Sequence, residues 1–171
     1  MKCDYLSFID MDTRGPRCDV TPLFADAKAF AALVGEIVDH FAATGYDYVA
    51  GIDALGFVLG AAVAVRAQKG FVSVRKAGKL PVAVDSIDFV DYTGRQKVLE
   101  LRQGIIPPGA RVLLVDEWIE TGAQMQAAVK LIEGQGGIIV GIATLNIDPN
   151  ERTSVLQAKY PCLVVLGDLA I

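Results

Sequence analysis

The chain has 171 residues, 53% of them hydrophobic, with a net charge of −4 and a pI near 4.9. This length suits one domain with a full core, and the acidic balance excludes a general nucleic-acid-binding surface. Mean hydropathy is +0.41, yet the central uncharged stretch, Ala54 to Val65, is short and broken by Gly56 and Gly60, whereas a membrane span needs about 20 apolar residues.

In chain order, the opening MKCDYLSFIDMD carries acids early and no apolar h-region, so it does not read as a signal peptide. Thr21 is the expected N-cap of the first helix and Pro22 its first residue. Leu23, Phe24, Ala27, Phe30, Ala31, Val34, Ile37, Val38 and Phe41 recur at helical spacing, and Gly45 ends the helix. His40, late in that helix, has no partner pattern and reads as structural. Tyr48 to Ile52 is a strand, Asp53 to Gly56 a tight loop, Phe57 to Gln68 a helix and Phe71 to Arg75 a strand.

Residues 76–100 break this alternation. A polar connector leads to a strand from Val82 to Phe89, a Tyr92-Thr93-Gly94 turn and a strand from Gln96 to Leu101. Long excursions of this kind are usually functional or disordered, so a flexible hairpin lid over about 80–101 is expected. A strand from Arg111 to Asp116 follows, then a helix from about Gly122 to Gln135 and a strand from Gly137 to Asn146. Asp148-Pro149-Asn150-Glu151 reads as a capping-box start for a helix through Lys159, and Leu163 to Leu166 as the last strand. The pattern predicts a single α/β domain over residues 1–171, with a central parallel sheet flanked by helices. The excess hydrophobicity is assigned to that sheet and to a subunit interface. No G-x-G-x-x-G follows any strand, which counts against a dinucleotide site. Cys3, Cys18 and Cys162 are odd in number and lack C-x-x-C spacing, so neither a disulfide framework nor a zinc site is expected, and the compartment is read as cytoplasmic.

The most informative segment is RVLLVDEWIETGAQ, Arg111 to Gln124. Val112 to Val115 form an apolar run after the Pro107-Pro108-Gly109 turn, as in a strand covered on both faces. Asp116 and Glu117 then fall at its carboxyl end, where open α/β sheets bind ligands, and are expected to be exposed there. Thr121-Gly122-Ala123 opens the next helix with Gln124 in its first turn, where free N–H groups and the helix dipole attract phosphate. Carboxylates for ribose hydroxyls beside amides for a phosphate suit a phosphorylated sugar.

This arrangement resembles the phosphoribosyl diphosphate (PRPP) motif of type I phosphoribosyltransferases: four apolar residues, two acids, a short loop and T-G-G-T. Three further segments are similar to the adenine phosphoribosyltransferases. Gly51 to Phe57, GIDALGF, resembles G-[IL]-D-[AS]-R-G-F; Arg75 to Pro81, RKAGKLP, resembles R-K-x-G-K-L-P; Cys18 to Phe24, CDVTPLF, resembles R-D-I-[ST]-P-L-[LF]. The matches keep the family's order from roughly Arg17 to Asp148.

The resemblance implies a type I phosphoribosyltransferase fold and transfer of ribose 5-phosphate from PRPP to a purine, adenine first, with release of diphosphate. It implies Mg2+ accompanying PRPP, with no direct protein ligand and with Asp116 and Glu117 reaching the metal through water. The same acids would face the ribose hydroxyls. Glu120, Thr121, Gly122, Ala123 and Gln124 would form the 5-phosphate loop, with the Glu120 side chain expected toward solvent. Asp53, Ala54, Leu55 and Gly56 would form the diphosphate loop, and Arg75, Lys76 and Lys79 a basic segment that could reach a neighbouring subunit of a homodimer. Asp91 and Tyr92 would match the Glu-Tyr of the catalytic lid, Asp91 as general acid or base and Tyr92 closing over the sugar. Trp118 would touch the base, as would the Arg17–Asp19 loop. Leu55 and Cys18 stand where relatives carry Arg, Ala123 where they carry Gly, and Gln124 where they carry Thr. A weak or inactive PRPP- or nucleotide-binding regulator of the same fold is the alternative.

Overall fold

The computed structural model describes residues 4–14 and 17–167. Strands β1 (Tyr48–Ile52), β2 (Gly70–Lys76), β5 (Arg111–Val115), β7 (Ile138–Thr144) and β9 (Cys162–Val164) pair in parallel in the order β2-β1-β5-β7-β9. β4 (Gln96–Arg102) and β3 (Val84–Val90) extend that sheet beyond β2 as an antiparallel hairpin. The central sheet is mostly parallel, as expected, and mixed only where β2 pairs antiparallel with β4 through Arg75–Glu100 and Lys76–Leu99 and β4 with β3. A small second sheet pairs β6 (Trp118–Ile119) with β8 (Asn146–Ile147).

The apolar run of β5 is explained by cover on both sides. Val112 and Leu114 pack in one core with α4 (Ala123–Gly134) and the hairpin residues Phe89, Leu99 and Leu101. Leu113 and Val115 pack in the other with α2 (Ala27–His40) and α3 (Leu55–Ala67). Side chains alternate across a strand, so a strand covered on both faces is apolar at every position.

The expected first helix is divided into α1 (Thr21–Ala25) and α2. Asp26 breaks it: its backbone is extended and its carboxylate accepts from Lys28 N and Ala29 N, capping α2. The residue before α1 is Val20, and Thr21 is instead held by Asp19 Oδ1. α5 (Glu151–Lys159) starts at Asn150, whose side chain and Thr153 form the expected capping box. Among the described residues no helix is long and apolar enough to cross a membrane. Cys18 and Cys162 are free thiols; Cys3 lies outside the described residues.

Candidate active site

A cavity of ≈ 400 Å³ opens at the carboxyl ends of β1 and β5, within the usual size range of a small-molecule site. Two helix N-termini meet there. α3 begins directly after β1, with Ala54 at its N-cap and a cis peptide between Asp53 and Ala54. α4 begins after Gly122, whose φ of 75° supplies the left-handed turn and whose missing side chain lets α5 approach, since a Cβ there would lie 3.2 Å from Thr153 and 3.3 Å from Arg152. Thr121 Oγ1 accepts from Ala123 N at 3.3 Å. Both helix starts favour anions through their dipoles and free N–H groups.

Asp116 and Glu117 sit between these two anion-favouring ends. Both are buried, with 7% and 8% exposure, rather than presented on a solvated strand end as expected. The difference arises because α3 closes over β5: a Cβ on Gly56 would lie 2.8 Å from Val115 O and 3.1 Å from Asp116 Oδ1. Asp116 Oδ1 accepts from Glu117 N at 2.8 Å, and Oδ2 accepts from Gln124 Nε2 at 3.3 Å. Gln124 thus reaches back to the acid pair. Burial pushes the Asp116 carboxyl up to about 7, with the neighbouring Glu117 charge adding to the rise. Burial also raises Glu117, against the pull of Arg17.

Arg17 enters the cavity from the N-terminal segment. Its Nη2 lies 2.7 Å from Glu120 Oε1 and its Nε donates to the same oxygen at 2.8 Å. Glu120 therefore turns to a guanidinium instead of to solvent, and the pairing offsets its charge in a cavity that already holds Asp116 and Glu117. The guanidinium also lies 5.5 Å from the Tyr92 ring centroid and 5.8 Å from that of Trp118, within cation–π range. Trp118 is nearly buried, lines the cavity and donates Nε1–H to Asp148 Oδ1 at 2.9 Å. Asn146 Nδ2 donates to the same oxygen at 2.9 Å.

A family model described as the phosphoribosyl transferase domain matches residues 22–165. The chain belongs to the phosphoribosyltransferase family. The adenine phosphoribosyltransferase of Cereibacter sphaeroides is 43% identical over 125 residues, covering 73% of this chain and 70% of that protein. The crystal structure of adenine phosphoribosyltransferase from Thermoanaerobacter pseudethanolicus superposes with a TM-score of 0.84 at 31% identity, covering 94% of this chain and 96% of that one. An APRTase from Giardia lamblia complexed with 9-deazaadenine gives 0.83 at 29% identity, covering 95% and 94%.

The phosphoribosyltransferase cavity gathers most residues singled out from the sequence. Asp53, Ala54 and Leu55 line it from the β1–α3 loop, and Asp116, Glu117 and Trp118 from the end of β5 onward. Glu120, Thr121, Gly122 and Gln124 line it at α4, with Asp91, Tyr92 and Arg17 opposite. Lys76 also lines it, whereas Arg75 and Lys79 do not. Arg75 sits 5.9 Å from the Phe57 ring centroid and donates to Lys79 O at 3.4 Å. Gly56 and Ala123 are buried and do not line it. Asp91 Oδ1 accepts from Thr93 N, Thr93 Oγ1 and Arg95 N, so the carboxylate shapes the hairpin turn. The Thr93 hydroxyl chiefly, with these amides and Lys97, holds its carboxyl below the usual range. Phe89, Lys97, Ile119 and Met125 also line the cavity and were not singled out from the sequence. Phe89 and Lys97 pair across the hairpin, a register that the sequence pattern places only approximately.

Proposed function

We propose that this phosphoribosyltransferase moves the ribose 5-phosphate of PRPP onto adenine, releasing diphosphate in purine salvage. The observation that carries this proposal is a buried carboxylate pair held between two open helix N-termini in one cavity. The C. sphaeroides relative and the G. lamblia complex favour adenine among the purines.

In this proposal, Thr121 to Gln124 hold the 5-phosphate through the start of α4. Asp116 and Glu117 accept from the ribose hydroxyls and fix the sugar between the two anionic groups. As the C1–O bond breaks, its electron pair leaves with diphosphate and positive charge develops on the sugar. A purine ring nitrogen then donates its pair to C1. The Asp53–Gly56 loop and Lys76 stabilise charge growing on the departing oxygen. Trp118 offers the base only its ring face, since its N–H is committed to Asp148. Tyr92, 64% exposed at the hairpin tip, closes the mouth against water. Asp91, held ionised, is better placed to accept a hydrogen bond than to supply a proton.

The donor set fits Mg2+ arriving with PRPP. Two carboxylates offer hard oxygens, and this metal is commonly held by one or two carboxylates, water and substrate phosphates. When bound, Mg2+ neutralises charge on the phosphates.

A homodimer is part of the same proposal. Val58, Val65 and Phe71 are exposed, the two valines on α3. A second copy covering this face would bury these apolar side chains.

The test is to incubate the protein with Mg2+, PRPP and adenine, guanine or hypoxanthine in turn, and to follow diphosphate release. Adenine should give the highest rate. No diphosphate with any purine, combined with retained PRPP binding, would replace the enzyme by a PRPP-binding regulator.

A further inference from the structure

We propose that Lys97 is a second diphosphate-binding cation of this site, acting beside Lys76 across the seam between β2 and β4. The placement follows from strand register. Lys76 of β2 is directly opposite Leu99 of β4. Lys97 lies two residues from Leu99 on the same strand, so both lysines project from one face of the sheet. They occupy diagonal positions, whose Cα atoms are about 7–8 Å apart, within reach of two long side chains. Phe89, opposite Lys97 on β3, lines the cavity together with both lysines.

The charge balance of the cavity gives that pair its role. Among the described residues its lining carries five carboxylates, Asp53, Asp91, Asp116, Glu117 and Glu120. Among the described residues the lining cations are Arg17, Lys76 and Lys97, and Arg17 is committed to Glu120 at 2.7 Å. A diphosphate leaving such an acidic site needs the two remaining cations. Lys97 is available to it: its Nζ lies 4.0 Å from Asp91 Oδ2, the outer limit of an ion pair, and its side chain is 42% exposed. Asp91 is tied by its other oxygen to the hairpin turn, so Lys97 can move toward an anion without unfolding the tip. Two neighbouring ammonium groups repel in the empty site, and a diphosphate between them removes that repulsion.

This inference rests on the transferase reading, and the experiment separates the two. Purified parent, Lys97→Met, Lys97→Gln and Lys97→Arg are compared for diphosphate release and, by calorimetry, for binding of diphosphate with Mg2+. Melting curves first establish which variants fold as the parent does, the glutamine variant standing in if methionine disturbs the hairpin. The neutral variants should lose about tenfold or more in diphosphate affinity and in kcat/KM for PRPP, the scale of one charge-assisted contact. KM for adenine should stay within about twofold, and Lys97→Arg within about threefold of parent on every readout, margins small beside that contact. Folded neutral variants that match the parent in diphosphate binding, or an arginine variant that recovers nothing, would overturn the role of Lys97. A parent that releases no diphosphate with any purine defeats the transferase reading instead, and the calorimetric comparison still decides the lysine.

Discussion

Replacing Arg17 by alanine tests whether Glu120 is tolerated in the phosphate loop only because it is paired. Glu120 Oε1 accepts from two guanidinium nitrogens, at 2.7 and 2.8 Å, and its side chain is only 17% exposed. In the proposed binding mode, removing Arg17 would leave that carboxylate facing the 5-phosphate uncompensated. At a separation of about 6 Å and an effective dielectric of 20–80, each phosphate charge is destabilised by about 0.7–3 kcal/mol, roughly 3- to 100-fold in affinity. The assay is a double-mutant cycle on binding of ribose 5-phosphate, using Arg17→Ala, Glu120→Gln and the double variant. Arg17→Ala should weaken binding by an amount in that range. Glu120→Gln in the same background should restore most of the loss, while Glu120→Gln alone should change little. Added salt should shrink the effect where the pair meets solvent. If Arg17→Ala weakens binding equally with and without the Glu120 charge, the two residues act independently, and the compensation argument fails.

Burial raises the Asp116 carboxyl from 3.8 to about 7, so the folded state holds a proton more tightly than the unfolded chain between those values. Stability should therefore fall as pH rises from about 4 to about 7 and then level off, on the order of a few kcal/mol in all. Urea titrations at several pH values should find that slope reduced in Asp116→Asn, with the residual slope from Glu117 in the same direction; an unchanged slope would reject the assignment. Asp148→Ala leaves Trp118 Nε1 without its acceptor, costing about 1–3 kcal/mol for an unsatisfied buried donor. Its Trp118 emission, free of other tryptophans, should shift and be quenched less by adenosine monophosphate than in the parent; identical quenching curves would mean that Asp148 does not hold the ring. Leu55 is 39% exposed on the cavity wall, so Leu55→Arg adds a cation without crowding the core. Diphosphate release should then rise by roughly tenfold, if the new contact forms fully in the transition state, and a slower variant would argue that the leaving group does not pass Leu55.

Features contained in one short stretch of chain are legible in the sequence. The run from Val112 to Gln124 encodes a doubly covered strand, two acids at its end and an open helix start, because strand periodicity, acid placement and turn chemistry all act over neighbouring residues. The start of α5 at Asn150 follows from the same local chemistry. The division of the first helix at Asp26 was also local, but hydrophobic spacing continues across the break and hides a cap made by a carboxylate. Tertiary structure decided the rest. Arg17 meets Glu120 across 103 residues, Trp118 finds Asp148 through the pairing of β6 with β8, and the β2–β4 register brings Lys97 to the cavity that Lys76 also lines. The burial of Asp116 and Glu117, and so the raised carboxyl of Asp116, depends on α3 closing over β5 at Gly56. Side-chain identity sets what a group can do chemically; the order and register of strands set which groups meet, and how much water remains between them.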